Sequence, residues 1–518
     1  MAENTSPAQE IAAGYATEGS ALELGTVLVD GTCDPEAKVR IPFATLNRHG
    51  LVAGATGTGK TKTLQGLAGQ LSDNGVPVLL ADVKGDLSGL ARAGESNDRI
   101  TKRAADTGDD WTPTAYPVEF MSLGEKSAAV PIRATLTQFG PVLLSKVLDL
   151  NDTQESTLGL IFHWADQRGL PLLDTKDLRA VIQHLTSDEG KADLKGIGGV
   201  SSATAGVILR ALVNLEAQGG EAFFGEPEFD PADLLRVVDG KGIVTLLEVA
   251  EQSANPKLFS TFLMWLLAEL FEELPEAGDL DKPKLVFFFD EAHLLFADAS
   301  KAFLERIEQT VKLIRSKGVG VFFCTQLPTD IPNEVLSQLG ARVQHALRAF
   351  TPEDQKALTK TVRTYPTSKI YDLEEALTSL GTGEAVVTVL SETGAPTPVA
   401  WTRLRAPRSL MAAIGPEAVT EAATASPLYA KYGETVDRES AYETLSGKIN
   451  ATPPASPEGA PPPPPADAPP PAAPPAEEEG GGLFDKVGAF FNSPLGKQLT
   501  NTVTREVTRS LFGTRRRR

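Results

Sequence analysis

Residues 51–63 read LVAGATGTGKTKT, and the pattern Gly54-x-x-x-x-Gly59-Lys60-Thr61 within them restricts the backbone on both sides. A loop of this kind wraps phosphate oxygens only if its glycines turn the chain tightly enough to aim successive N–H groups inward. It also needs a buried strand before it and a helix after it, so that the positive helix end meets the anion. The apolar run 51–53 supplies the strand, and Gly54, Ala55, Thr56, Gly57, Thr58 and Gly59 form the expected cradle. Lys60 is expected to set its charge on the β and γ phosphates, and the Thr61 hydroxyl to ligate a bridging Mg2+. A nucleoside triphosphate and Mg2+ are therefore the expected ligands.

A phosphate loop implies further buried strands whose carboxyl ends gather around it. PVLLADVKGD reads as one, with Asp82 at its exit and Asp86 just beyond; both acids suit either a supporting role at the metal or simple capping. KLVFFFD reads as another and delivers Asp290 and Glu291, two carboxylates directly after a run of apolar residues. Asp290 is the expected Mg2+ partner, and Glu291 the group that orients or deprotonates the attacking water. GVGVFFCTQ ends in Gln326, whose amide could touch both the γ-phosphate and that water, or could serve as a turn residue. The string Asp290-Glu291-Ala292-His293 also spells the name of an RNA helicase class, but too little chain follows residue 350 for the second motor domain of that class. His293 is read instead as the start of a local helix.

Strands alternate with helical text at a spacing that specifies α/β architecture: a core with a largely parallel sheet covered on both faces. The expected division begins with a disordered start at 1–20 and a short β segment at 21–48, read as a truncated barrel. A core follows at 49–139 and 237–410, interrupted by a helical insertion at 140–236 and extended by helices at 411–450. EAVVTVL and TPVAWTRL, separated by SETGAP, suggest a hairpin at the sheet edge. The composition then breaks, since half of residues 451–476 are proline, and 451–482 is expected to be an extended linker without a core. Residues 483–518 carry eight Lys or Arg against two acids, and Leu495, Leu499, Val503, Val507 and Leu511 recur every four positions, the pattern of a basic amphipathic helix.

Composition narrows the function. A net charge of −19 argues against a surface coated for nucleic acid and leaves room only for a local basic channel. Lys312, Arg315 and Lys317 mark either such a channel or a solvated helix face. The longest apolar run, around 262–267, falls far short of the roughly 20 residues that span a bilayer, so no transmembrane segment is expected. Two cysteines, Cys33 and Cys324, and a start without an apolar leader suit a reducing, cytoplasmic setting.

With these pieces in order, the chain resembles the HerA/FtsK class of ring-forming ATPases, and most closely the bacterial HerA-like proteins. The matching text is NRHGLVAGATGTGKT, ADVKGDLSGL, PKLVFFFDEAHLLF, LIRSKGVGVFFCTQLPTDIPNEVLSQLGARVQHALRAFTPEDQKAL and KYGETVDRESAYETL, which extends the likeness over about residues 20–450. The resemblance implies a RecA-like ATPase core and an ATP-driven homo-oligomer, a hexameric ring that threads DNA as a translocase or helicase-like motor. It also implies that Arg348 reaches the ATP of a neighbouring subunit, with Arg342 the alternative and a salt bridge the structural reading. The sequence departs from archaeal repair-type HerA proteins, which carry a full N-terminal β-barrel, because about 50 residues precede the phosphate loop here. The insertion also lies outside the minimal motor. A different class stays open: an ATP-dependent switch or protein-remodelling assembly that docks a protein partner through the C-terminal tail.

Overall fold

The computed structural model describes residues 6–82, 85–123, 129–194, 198–248, 256–278, 280–296 and 301–450. The proline-rich linker and the basic tail lie outside the described residues. In chain order the strands are β1 (Ala21–Val29), β2 (Thr32–Pro42), β3 (Gly50–Ala53), β4 (Val78–Asp82), β5 (Val118–Leu123), β6 (Val130–Ile132) and β7 (Val237–Val238). They continue with β8 (Lys241–Gly242), β9 (Val244–Glu248), β10 (Leu285–Phe289), β11 (Val319–Thr325), β12 (Ala341–Gln344), β13 (Glu384–Thr388) and β14 (Ala400–Leu404). Twelve of these form one sheet in the order β2-β1-β14-β13-β12-β3-β11-β10-β4-β9-β5-β6, while β7 and β8 pair with each other. From β12 to β6 every neighbour is parallel.

The parallel strands are continuous apolar runs because both of their faces are covered. β3, β10 and β11 are buried at every position. Phenylalanines fill both faces: Phe287 stacks on Phe289 at 4.5 Å and Phe289 on Phe323 at 5.4 Å, while Phe288 lies 5.2 Å from Phe322. Gly50 leaves room for this packing, since a Cβ there would sit 2.2 Å from the Phe322 ring.

Three expectations change. The N-terminal stretch is ordered from Ser6, which caps a helix over Pro7–Ala13. The apolar Ile11 and Tyr15 are buried, and the Tyr15 hydroxyl reaches the carbonyls of Val387 and Pro398 at 2.8 and 2.6 Å, so this end packs on the sheet and does not fray. The segment 21–48 builds no barrel fragment: β1 and β2 pair antiparallel with each other and β1 pairs with β14, which extends the main sheet. For the same reason the β13–β14 hairpin is interior to the sheet, and β2 is its edge.

The helical text after β6 begins at Thr135, whose side chain caps the helix Leu136–Val147; a break at Gly140, with φ 76°, precedes Pro141. Further helices run over Asp152–Gln167, Thr175–Thr186, Asp188–Asp193 and Ser202–Ala217. The last described helix, Ala441–Asn450, is fastened to this group through the buried Asp177. The Asp177 carboxylate accepts from Ser440 Oγ at 2.5 Å and from the Tyr442 N–H at 2.8 Å. No described helix is long and apolar enough to cross a membrane.

Candidate active site

The sheet register brings the sequence-predicted residues to one edge. Ala53, the last residue of β3, is level with Thr325 of β11 and Gln344 of β12, so the glycine loop, Gln326 and His345 leave the sheet side by side. β10 pairs with β11 through Phe289 and Phe323, which puts Asp290 beside Cys324. β4 lies on the other side of β10 and ends in Asp82.

Neighbouring strands hold the loop by its backbone. The Gly54 N–H donates to Thr325 O at 3.2 Å, the Ala55 N–H to Ala346 O at 2.9 Å, and the His345 N–H to Ala53 O at 2.7 Å. Gly54, Gly57 and Gly59 have φ values of 149°, 81° and 112°, a region other residues avoid. At Gly54 the demand is also spatial, since a Cβ would meet the His345 Cβ at 2.5 Å. Lys60 opens the helix Lys60–Asp73, and its ammonium donates to Gly54 O at 2.6 Å and Ala55 O at 3.3 Å. Thr61 follows on the first turn of the same helix, and Thr56 is exposed at the loop tip.

The acidic side of the site sits on a tight turn. The Glu291 N–H donates to Asp290 Oδ1 at 2.9 Å, and the Ala292 N–H to Cys324 O at 2.9 Å. Burial pushes the Cys324 thiol well above its ordinary range; Asp290 and Glu291 add to that shift and Lys60 opposes it, so all three charges act on one point. Asp82 is buried and accepts from the Gly85 and Leu87 N–H groups at 2.8 and 2.9 Å. Burial raises its carboxyl, Asp86 adds to this, and those hydrogen bonds oppose it. Burial likewise lowers the Lys62 ammonium against the pull of Asp86 and Asp82. This places Asp82 and Asp86 at the loop helix, with Asp82 tied up as a turn cap. Gln326 is exposed at the rim.

Arg348 and Arg342 differ in setting. Arg348 Nη2 donates to Thr56 O at 3.3 Å, so the exposed guanidinium lies on the loop of its own subunit. Arg342 donates to Thr364 O at 2.8 Å and packs over the Tyr365 ring. Lys312, Arg315 and Lys317 sit just before β11, at the end of the sheet opposite the loop, where Lys317 pairs with Glu276 at 3.2 Å.

Several supporting residues carry no sequence signal. His345 Nε2 lies 2.9 Å from Thr63 Oγ1, and burial, reinforced by Lys60, lowers the imidazole to about 4. Arg103 donates to Gly383 O at 2.9 Å and Thr382 O at 3.2 Å, and the Gly383 N–H donates to Thr58 O at 3.1 Å, so this arginine braces the turn against the loop. Such roles arise from strand adjacency and are invisible along the chain.

The site suits a nucleoside triphosphate with a hard divalent ion. A Cβ built at Gly57, at the loop tip, would meet nothing within 4 Å, which leaves approach to the backbone open. A hydroxyl on Thr61 and a carboxylate on Asp290 are the oxygen donors that Mg2+ takes when phosphates and water complete its shell. Among the described residues no group of three or more His, Cys, Asp or Glu could hold a metal by itself.

A glycine cradle and lysine at the exit of a central parallel strand, with acids leaving the same sheet edge from the strand one place beyond its neighbour, define a P-loop nucleoside triphosphatase. More narrowly, the chain belongs to the helicase HerA-like C-terminal family, whose model matches residues 28–518. It is 23% identical over 376 residues to the DNA double-strand break repair helicase HerA of Sulfurisphaera tokodaii, covering 70% of this chain and 68% of that protein. Among solved structures it is similar to the plasmid coupling protein TrwB in complex with ADP and Mg2+, with a TM-score of 0.52 at 16% identity over 79% of this chain and 93% of that one. TrwB with a non-hydrolysable GTP analogue gives a TM-score of 0.50 at 16% identity over 78% and 94% of the two chains. These likenesses concern the fold.

Proposed function

We propose that the protein is a Mg2+-dependent ATPase that assembles as a homo-oligomeric, hexameric ring and moves DNA. The observation that carries this reading is the convergence of the loop 54–61, Asp290, Glu291 and Gln326 at the carboxyl ends of three adjacent parallel strands in a HerA-family chain.

The loop amides and Lys60 would bind and orient the triphosphate, and Thr61 with Asp290 would hold Mg2+. The ion would offset phosphate charge. Glu291 would take the proton of the attacking water, Gln326 would orient that water, and Cys324 stays an inert thiol beneath them. Arg348 would stabilise charge on the transferring phosphoryl group. We assign it to the ATP of a neighbouring subunit, whereas its contact with Thr56 favours a competing assignment to its own.

Steady-state ATP hydrolysis by purified protein, with and without double-stranded DNA at low salt, tests the whole reading. Hydrolysis that rises with DNA, together with a ring seen by mass measurement, supports it. Hydrolysis without DNA binding or stimulation removes the DNA part and favours a protein substrate reached through the C-terminal tail.

A further inference from the structure

Glu291 stands out in the candidate site because its backbone has φ of 49°, a left-handed conformation that a non-glycine residue keeps only where its surroundings impose it. Here the surroundings do so. The turn is fixed by the Ala292 N–H on Cys324 O at 2.9 Å and by the Leu294 N–H on Glu291 O at 2.9 Å. This conformation aims the Glu291 side chain at the residue two positions on: Glu291 Oε2 lies 3.4 Å from His293 Nδ1. The pair is partly exposed, with the carboxylate at 21% and the imidazole at 38% exposure, so solvent reaches both.

We propose that His293 is a positioning residue for Glu291: its Nδ1–H fixes Oε2 and thereby leaves the other carboxylate oxygen to receive the proton of water. A carboxylate on a flexible stem samples several rotamers, and the strained turn alone fixes only where its side chain begins. A donor at the far end selects one of those rotamers, and general-base efficiency depends on that geometry before anything else. The proposal rests on Glu291 being the base, and it deepens that assignment.

The test compares His293→Ala, His293→Gln, His293→Asn, Glu291→Gln and the double variant Glu291→Gln/His293→Ala in the full chain, measuring ATP turnover and the affinity for a fluorescent ATP analogue. The Asn amide can donate from the place of Nδ1, whereas the longer Gln cannot. We expect His293→Ala and His293→Gln to lower kcat roughly 10- to 100-fold with affinity changed less than about 2-fold, and His293→Asn to keep most of the turnover. The double variant should be no slower than Glu291→Gln alone, because His293 acts through Glu291. Unchanged or faster turnover in His293→Ala, beside an inactive Glu291→Gln, overturns the proposal while leaving Glu291 as the base. Near-normal turnover in Glu291→Gln overturns both. Should His293→Ala fail to fold, the Asn and Gln variants decide, and equal losses in the two overturn the positioning role.

Discussion

His345 Nε2 and Thr63 Oγ1 share a hydrogen bond of 2.9 Å, which joins the end of β12 to the helix that carries Lys60. Thr63 Oγ1 also donates to Gly59 O at 3.3 Å, and burial keeps the imidazole neutral.

This neutral ring makes the fold acid-sensitive. The folded value of about 4 lies below the ordinary 6.5, so as pH falls the unfolded chain takes up this proton first. The stability from neutral burial is complete above about pH 6.5 and is lost toward pH 4, a change of about 3 kcal/mol for this one group. The buried His49, also lowered to about 4, adds a second contribution with the same sign. Urea unfolding at pH 7, 5.5 and 4.5 should show the loss, and His345→Asn should flatten its slope. Equal slopes in the variant and the parent would remove His345 from the acid response.

Lys60, Glu291 and Gln326 should separate binding from chemistry. Lys60→Ala should weaken ATP binding by at least about 10-fold, since it removes charge that acts on bound phosphate. Glu291→Gln should leave affinity within about 3-fold and lower kcat by at least about 100-fold. Gln326→Ala should lower turnover more than affinity. Equal affinity losses in Lys60→Ala and Glu291→Gln would make the glutamate a structural residue.

Arg348 can be assigned to a subunit by mixing two inactive proteins. Lys60→Ala has a defective site but an intact Arg348, and Arg348→Ala the reverse. If Arg348 acts across an interface, mixed rings should regain part of the hydrolysis, because a Lys60→Ala subunit lends its arginine to an intact neighbouring site. No recovery in rings shown to be mixed would instead place Arg348 on the nucleotide of its own subunit, as its contact with Thr56 suggests.

Asp177 should be a stability residue with no effect on nucleotide binding. Its buried carboxylate accepts from the Leu173 N–H at 2.7 Å as well as from Ser440 and Tyr442. Asp177→Ala leaves those donors without their acceptor and should cost about 2–4 kcal/mol in urea unfolding. Limited proteolysis near residues 433–440 should accelerate while ATP affinity stays the same.

The phosphate loop and the acidic strand end could be read directly, because a glycine pattern and a run of phenylalanines ending in two acids each admit few backbone solutions. The largely parallel sheet followed from the alternation of strands with helical text. Partners distant in sequence could not be read. Nothing in the sequence near His345 announces Thr63, and nothing near Arg103 announces Gly383, since those pairings depend on the order in which strands enter the sheet. The edge was misjudged for a related reason: β1 and β2 carry an ordinary alternating pattern that fits a barrel fragment as well as an added pair of strands. The N-terminal helix was missed because two buried side chains, Ile11 and Tyr15, hold it against the sheet within a stretch that is polar on average.

The fastening of the Ala441–Asn450 helix through Asp177 also determines where a mechanical load enters the molecule. A pull on the chain beyond residue 450 loads that helix and its Asp177 contacts first, and reaches the sheet both through the helices that follow β6 and through the helices Pro416–Ala425 and Pro427–Tyr432, which pack on β5 and β6.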